Sequence, residues 1–145
     1  MPSIFLLLLL IILVILSGFL SGSETAITAT SKARILYKKK KGSKRAKYVL
    51  ELLDKKDNVI STLLLSNNLV NILASSLATA FFYDIFGVEG IFYATLIMTV
   101  VIVIFAEVLP KTYAINRPNR TALLISPIIY YLNKILFIFV FVINL

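Results

Sequence analysis

Three clusters of polar residues interrupt long apolar stretches of this chain. Ser21-Gly22-Ser23-Glu24 closes the first stretch, Asn67, Asn68 and Asn71 lie inside the second, and Glu107 precedes Pro110 and Lys111 at the end of the third. One carboxylate, amide carbonyls and hydroxyls make a hard, all-oxygen ligand set. Such a set suits Mg²⁺, Ca²⁺ or Na⁺ and disfavours softer metals. The chain has no cysteine and no histidine, which excludes disulfides and sites built on thiolate or imidazole. A single carboxylate leaves a divalent ion under-neutralised, and the weak binding this implies suits a site that must release its ion.

Spacing supports a common target. Asn67, Asn71 and Ser75 are four residues apart and share one helical face. Pro110 has no N–H and clashes with the carbonyl four residues earlier, so it is expected to free the Ala106 oxygen beside Glu107. Gly22, between two serines, permits an irregular turn with an exposed carbonyl. With a rise of 1.5 Å per residue, Ser21 and Glu107 lie roughly 25 Å from the outer end of their helices. Asn67 lies about 12 Å from the inner end of its own, so all fall in the inner half of a core about 30 Å thick. Each residue also has a plainer reading. Serine and asparagine in membrane helices often only hydrogen-bond a neighbouring helix, Glu107 can pair with Lys111, and Glu24 can support a ligand or face the basic loop.

The elements that must position these residues follow from hydropathy and charge. Of 145 residues, 59% are hydrophobic and the mean hydropathy is +0.94, in blocks long enough to span a bilayer. Spans are expected at about 4–29, 59–83 and 91–109, with Gly87 and Gly90 breaking the outer turn. Eleven of the 15 Lys and Arg residues fall between Lys32 and Lys56, and the net charge is +8. Because this cluster follows a span, the positive-inside rule explains it without nucleic acid. The N-terminus is then outside and the basic segment 32–58 cytoplasmic, in a cell (plasma or inner) membrane. Only Met, Pro and Ser precede the first apolar run, unlike the basic start of a signal peptide. Within 32–58, Tyr48, Val49, Leu52 and Leu53 recur at helical spacing, which predicts an amphipathic helix at the inner surface. Lys38 to Lys47 are placed to meet anionic headgroups, although a solvated loop serves equally. The segment 121–145 carries Pro127, Asn133 and Lys134. A lysine at the bilayer centre costs about 3 kcal/mol, which favours a bent helix or helix pair at the inner interface over a fourth span.

The motifs Ser21-Gly-Ser-Glu-Thr-Ala26, Ser66-Asn-Asn-Leu-Val-Asn71 and Glu107-Val-Leu-Pro-Lys111, in this order, resemble the transmembrane domain of the CorC/cyclin M family (CNNM) of magnesium transporters. The family more often has glycine where this chain has Ser66. The resemblance implies an all-α membrane domain, a homodimer with three transmembrane helices per subunit and a belt of juxtamembrane helices. It implies a largely dehydrated Mg²⁺ on Ser21, Ser23, Asn67, Asn71 and Glu107, and Mg²⁺ export coupled to Na⁺ entry. It also implies that ATP acts only through cytosolic modules absent from this chain, which stops within an apolar run. The reading is of a transport domain and not an enzyme. The rival readings are a membrane-anchored Mg²⁺ sensor and a structural dimerisation anchor.

Overall fold

The computed structural model describes residues 3–143; the last two residues of the 121–145 segment lie outside them. The architecture is all-helical, and three helices are long and apolar enough to cross a membrane: Ile4–Ala29, Lys56–Phe86 and Glu89–Asn116. In chain order the elements are α1 (Ser3–Ala29), α2 (Lys32–Lys40), α3 (Lys44–Asp54), α4 (Lys56–Phe86), α5 (Glu89–Val101), a π-helical segment (Ile102–Val108), α6 (Leu109–Asn116) and α7 (Pro118–Ile143). At 31 residues, α4 is about 46 Å long, which lets its charged first turn stand outside a core of about 30 Å.

The chain divides into two compact units. One comprises residues 1–21 and 66–110, the other residues 22–65 and 111–145. In the first, α1 buries Leu6, Leu10, Leu13, Ser17 and Leu20, a stripe at spacings of three and four, while Ile4, Leu8, Ile12 and Ile15 on other faces stay exposed. From α4 it buries Asn67, Val70, Ala74 and Ala78, and from α5 Ala94 and Met98. Ala74, Ala78 and Ala94 keep the facing parts of α4 and α5 small, because helices in lipid gain by close backbone approach. The turn between α4 and α5 is closed by Gly87 at φ 72°, a left-handed position favouring glycine, whose N–H donates to the Tyr83 carbonyl at 2.8 Å. Gly90 then passes so close to α4 that a Cβ there would lie 2.2 Å from the Phe82 carbonyl oxygen.

The second unit holds α2, α3 and α7. Ser31 and Ser43 cap α2 and α3 by accepting from the Arg34 and Ala46 N–H groups. Between these helices Gly42, at φ 93°, carries the chain through a turn in which Ser43 N–H reaches back to the Lys38 carbonyl. The amphipathic helix expected from Tyr48, Val49, Leu52 and Leu53 is α3. Its apolar face joins Ala26, Ile35, Val49, Leu50, Ala114 and Ala122 in one core, with Leu53 packed against it. Asn119 ties the end of α1 to the start of α7, its Oδ1 accepting from Thr30 Oγ1 at 2.7 Å and Ser31 N–H at 2.8 Å. Segment 118–143 is one helix with Pro127 inside it, not the helix pair that Pro127 allowed, and it packs along α3. Ser126 helps to seat it, donating to its own Leu123 carbonyl and reaching the Arg45 carbonyl at 3.3 Å.

One local expectation is corrected, and the setting of a second changes. Gly22 introduces no irregular turn, since α1 continues unbroken to Ala29 and Gly22 keeps a negative φ. Lipid-embedded backbone has no water to replace a broken helical bond, so a glycine alone does not open the helix. Pro110 lies where the ladder is not the plain α-helix assumed in the expectation about Ala106. The π-helical register shifts bonding by one residue, the Leu109 N–H donating to the Ile104 carbonyl five residues back. In that register the N–H that Pro110 lacks would have gone to Phe105.

Candidate functional site

In the first unit, one turn of α1 meets two other elements at consecutive residues. Ser17 Oγ approaches Asn67 Oδ1 at 2.7 Å and also reaches Asn71 Oδ1. Both amides come from one face of α4. Next to it, Gly18 lies against the π-helical segment: a Cβ there would sit 3.2 Å from the Phe105 carbonyl oxygen and 3.2 Å from Pro110 Cγ. The oxygen orphaned by Pro110 therefore abuts the turn of α1 that carries Ser17. Ser21, one turn further along the face of Ser17, is fully buried.

Several oxygens converge in this arrangement. Ser17 has one hydroxyl proton for two amide oxygens, and Phe105 offers a carbonyl with no main-chain donor in its register. Crowded acceptors at low dielectric attract positive charge. The first unit contains no lysine or arginine at all, so Glu107, half-buried in the π-helical segment, has no cationic side chain within its unit. Among the described residues no three Asp, Glu, His or Cys side chains gather to hold a metal. A cation here would rest chiefly on neutral oxygens, as the single carboxylate requires.

Of the expected ligands, Asn67 and Asn71 are brought together through Ser17, and Ser21 and Glu107 lie in the same unit. Ser23 belongs to the second unit, where it is buried. Two residues apart on a continuous helix, Ser21 and Ser23 project about 200° from each other. Asn68 is exposed and does not share the face of Asn67. Ser17 and Gly18 were not singled out from the sequence. Their signal is a repeat, Ser17-Gly18 followed four residues later by Ser21-Gly22, which sets two serines on one face and two glycines on the next.

The polar face of α4 continues beyond Asn71 through Ser75 to Thr79, again at four-residue steps. These two line a cavity of about 290 Å³ with Thr95, Thr99 and the start of the π-helical segment. Thr79, Thr95 and Thr99 each donate their hydroxyl hydrogen to a carbonyl of their own helix. Their oxygens are left as acceptors.

An all-helical chain with three membrane-length helices and a polar, oxygen-lined patch among them is the membrane domain of an integral membrane protein. The family described as the cyclin M transmembrane N-terminal domain matches residues 8–145, and the chain belongs to it. It is 40% identical over 131 residues to the UPF0053 inner membrane protein YfjD of Escherichia coli, covering 83% of this chain and 31% of that protein. It is 37% identical over 144 residues to a UPF0053 protein of Haemophilus influenzae, covering 99% of this chain and 34% of that one. A DUF21 domain-containing protein of Arabidopsis thaliana, described as chloroplastic, is 30% identical over 122 residues, or 84% of this chain and 18% of that protein. The chain thus spans about a third or less of the length of these relatives.

Proposed function

We propose that this chain is the ion-handling membrane domain of a homodimeric Mg²⁺ transporter that exports a largely dehydrated Mg²⁺ in exchange for entering Na⁺. The observation that carries the reading is the convergence on Ser17 and Gly18. There two amide oxygens, a hydroxyl and an orphaned carbonyl meet in a unit without a single cationic side chain. Unpaired helical carbonyls and neutral side-chain oxygens replace a hydration shell at modest affinity, which transport needs. Glu107 supplies the charge, and Ser21 adds a further hydroxyl on the same face of α1. The hydroxyl-lined cavity of Ser75, Thr79, Thr95 and Thr99 supports a pathway over a sensor. It extends the polar face from Asn71 towards the α4–α5 turn, and a sensor has no use for that extension.

Flux in reconstituted vesicles tests the proposal. Vesicles holding the protein and loaded with Mg²⁺ should lose it faster when Na⁺ is supplied outside, and Glu107→Gln should abolish the difference. Equal loss from protein-free vesicles would leave the chain as a sensor or an anchor.

A further inference from the structure

The second unit contains a cavity of about 350 Å³ where α3 faces α7, lined among others by Glu51, Asp54, Lys55, Tyr130, Asn133 and Lys134. Its charge is balanced, with two carboxylates against two ammonium groups. Asn133 is only 8% exposed, and its Oδ1 is buried without a hydrogen-bond partner. A buried amide oxygen without a donor is costly. A half-turn about χ2, soft in asparagine, would exchange the amide nitrogen and oxygen and bring the oxygen to the cavity that the side chain lines. Lys134 Nζ stands 5.5 Å from the Tyr130 ring centroid. Tyr130 in turn packs against Tyr48 of α3, with centroids 5.0 Å apart. A hydrogen bond with Tyr131 pushes the Tyr48 phenol up from its ordinary value.

We propose that this cavity binds a phosphoethanolamine head group, as carried by phosphatidylethanolamine. The primary ammonium donates to Asn133 Oδ1 and sits against Glu51 and Asp54, while the phosphate lies against Lys55 and Lys134. The unpartnered carbonyl decides between zwitterions, because ethanolamine has N–H groups to donate and choline has none. The balanced charge decides against a purely anionic head. Beyond the cavity, α7 continues into Ile135, Ile138 and Phe139, each more than 60% exposed. This apolar strip lies where acyl chains attached to the head group would run. The neighbouring cavity, lined by Lys44, Lys47, Tyr48 and Tyr131 and sharing Glu51, Tyr130 and Lys134, is basic, and suits the anionic headgroups expected around Lys38–Lys47.

The test is thermal unfolding of the purified chain in detergent supplemented with lipids of identical acyl chains. Phosphatidylethanolamine should raise Tm by roughly 5 °C more than phosphatidylcholine. Asn133→Leu should lose that preference. So should Glu51→Gln combined with Asp54→Asn, both at exposed positions where the fold is not at risk. Glycerophosphoethanolamine, which has no acyl chains, separates the sources. A shift with it alone assigns the site to the head-group chemistry whatever carries it, and a shift with the lipid only assigns it to the membrane. Equal stabilisation by both lipids, or an ethanolamine preference that survives in both variants, overturns the proposal.

Discussion

Ser17 has one hydroxyl hydrogen and two amide oxygens to serve, and the balance of the site follows from that shortage. Glu107→Gln preserves shape but removes the only carboxylate of the π-helical segment. It should weaken Mg²⁺ binding by about 3 kcal/mol or more, since charge at low dielectric is hard to replace. Asn67→Ala and Asn71→Ala each delete one neutral oxygen and should cost about 1 kcal/mol apiece. Magnesium titration against unfolding temperature measures all three, because an ion bound only by the folded state raises its stability. If Glu107→Gln is stabilised as strongly as the parent, the site is elsewhere and these residues are helix–helix contacts. Ser17→Ala should lower stability without Mg²⁺ by about 1–2 kcal/mol, as two amide oxygens lose their shared donor; unchanged unfolding would show that the contact is idle. The amides and the carboxylate were legible in the sequence because such groups are conspicuous in lipid. Ser17 was not, because one serine in an aliphatic run reads as filler until a second helix is seen against it.

Among the elements, the π-helical segment does most to shape the site. Pro110 announced an orphaned carbonyl from the sequence, but not which one. The answer depends on whether the helix bonds four or five residues back, and local sequence does not fix that register. The same limit hid Gly18, whose missing side chain matters only because the Phe105 carbonyl and Pro110 ring press against it. Gly18→Val should push α1 away from that carbonyl, destabilising the chain by about 1–3 kcal/mol. It should reduce Mg²⁺ flux more than Leu8→Val, a change on an exposed face of the same helix. Comparable flux in the two variants would separate the π-helical segment from transport. By contrast α3 was legible in advance, because an amphipathic helix is written in its own periodicity. The unbroken course of α7 through Pro127 was not, since the helix holds by packing on α3.

For the whole molecule, the expected topology places the N-terminus outside and the basic segment inside. Cysteines introduced at Ser3 and Ser43 should therefore react with an impermeant reagent from opposite sides of a sealed vesicle. Reaction of both from outside would overturn the assignment. The position of Lys134 belongs to the same question. It shares a cavity wall with Lys44 and Lys47, on a helix with five charged residues among its eleven, and no such helix lies in hydrocarbon. On that ground we propose that the middle of α7 sits at an interface, the placement that the cost of a central lysine favours. Hydropathy made the three spans readable because bilayer thickness imposes a length. The division into two compact units was not readable, because its boundaries cut through continuous helices at Ser21, Leu65 and Pro110.

The absence of lysine and arginine from the first unit has an electrical consequence. With Glu107 as its one carboxylate and no lysine or arginine in its unit, the proposed site would carry one negative charge when empty, none with Na⁺ and one positive with Mg²⁺. Each elementary charge carried across the full membrane potential is worth about 2.3 kcal/mol per 100 mV. A step that moves the Na⁺-loaded site through the field should therefore be indifferent to voltage, whereas the Mg²⁺-loaded and empty steps should respond with opposite signs.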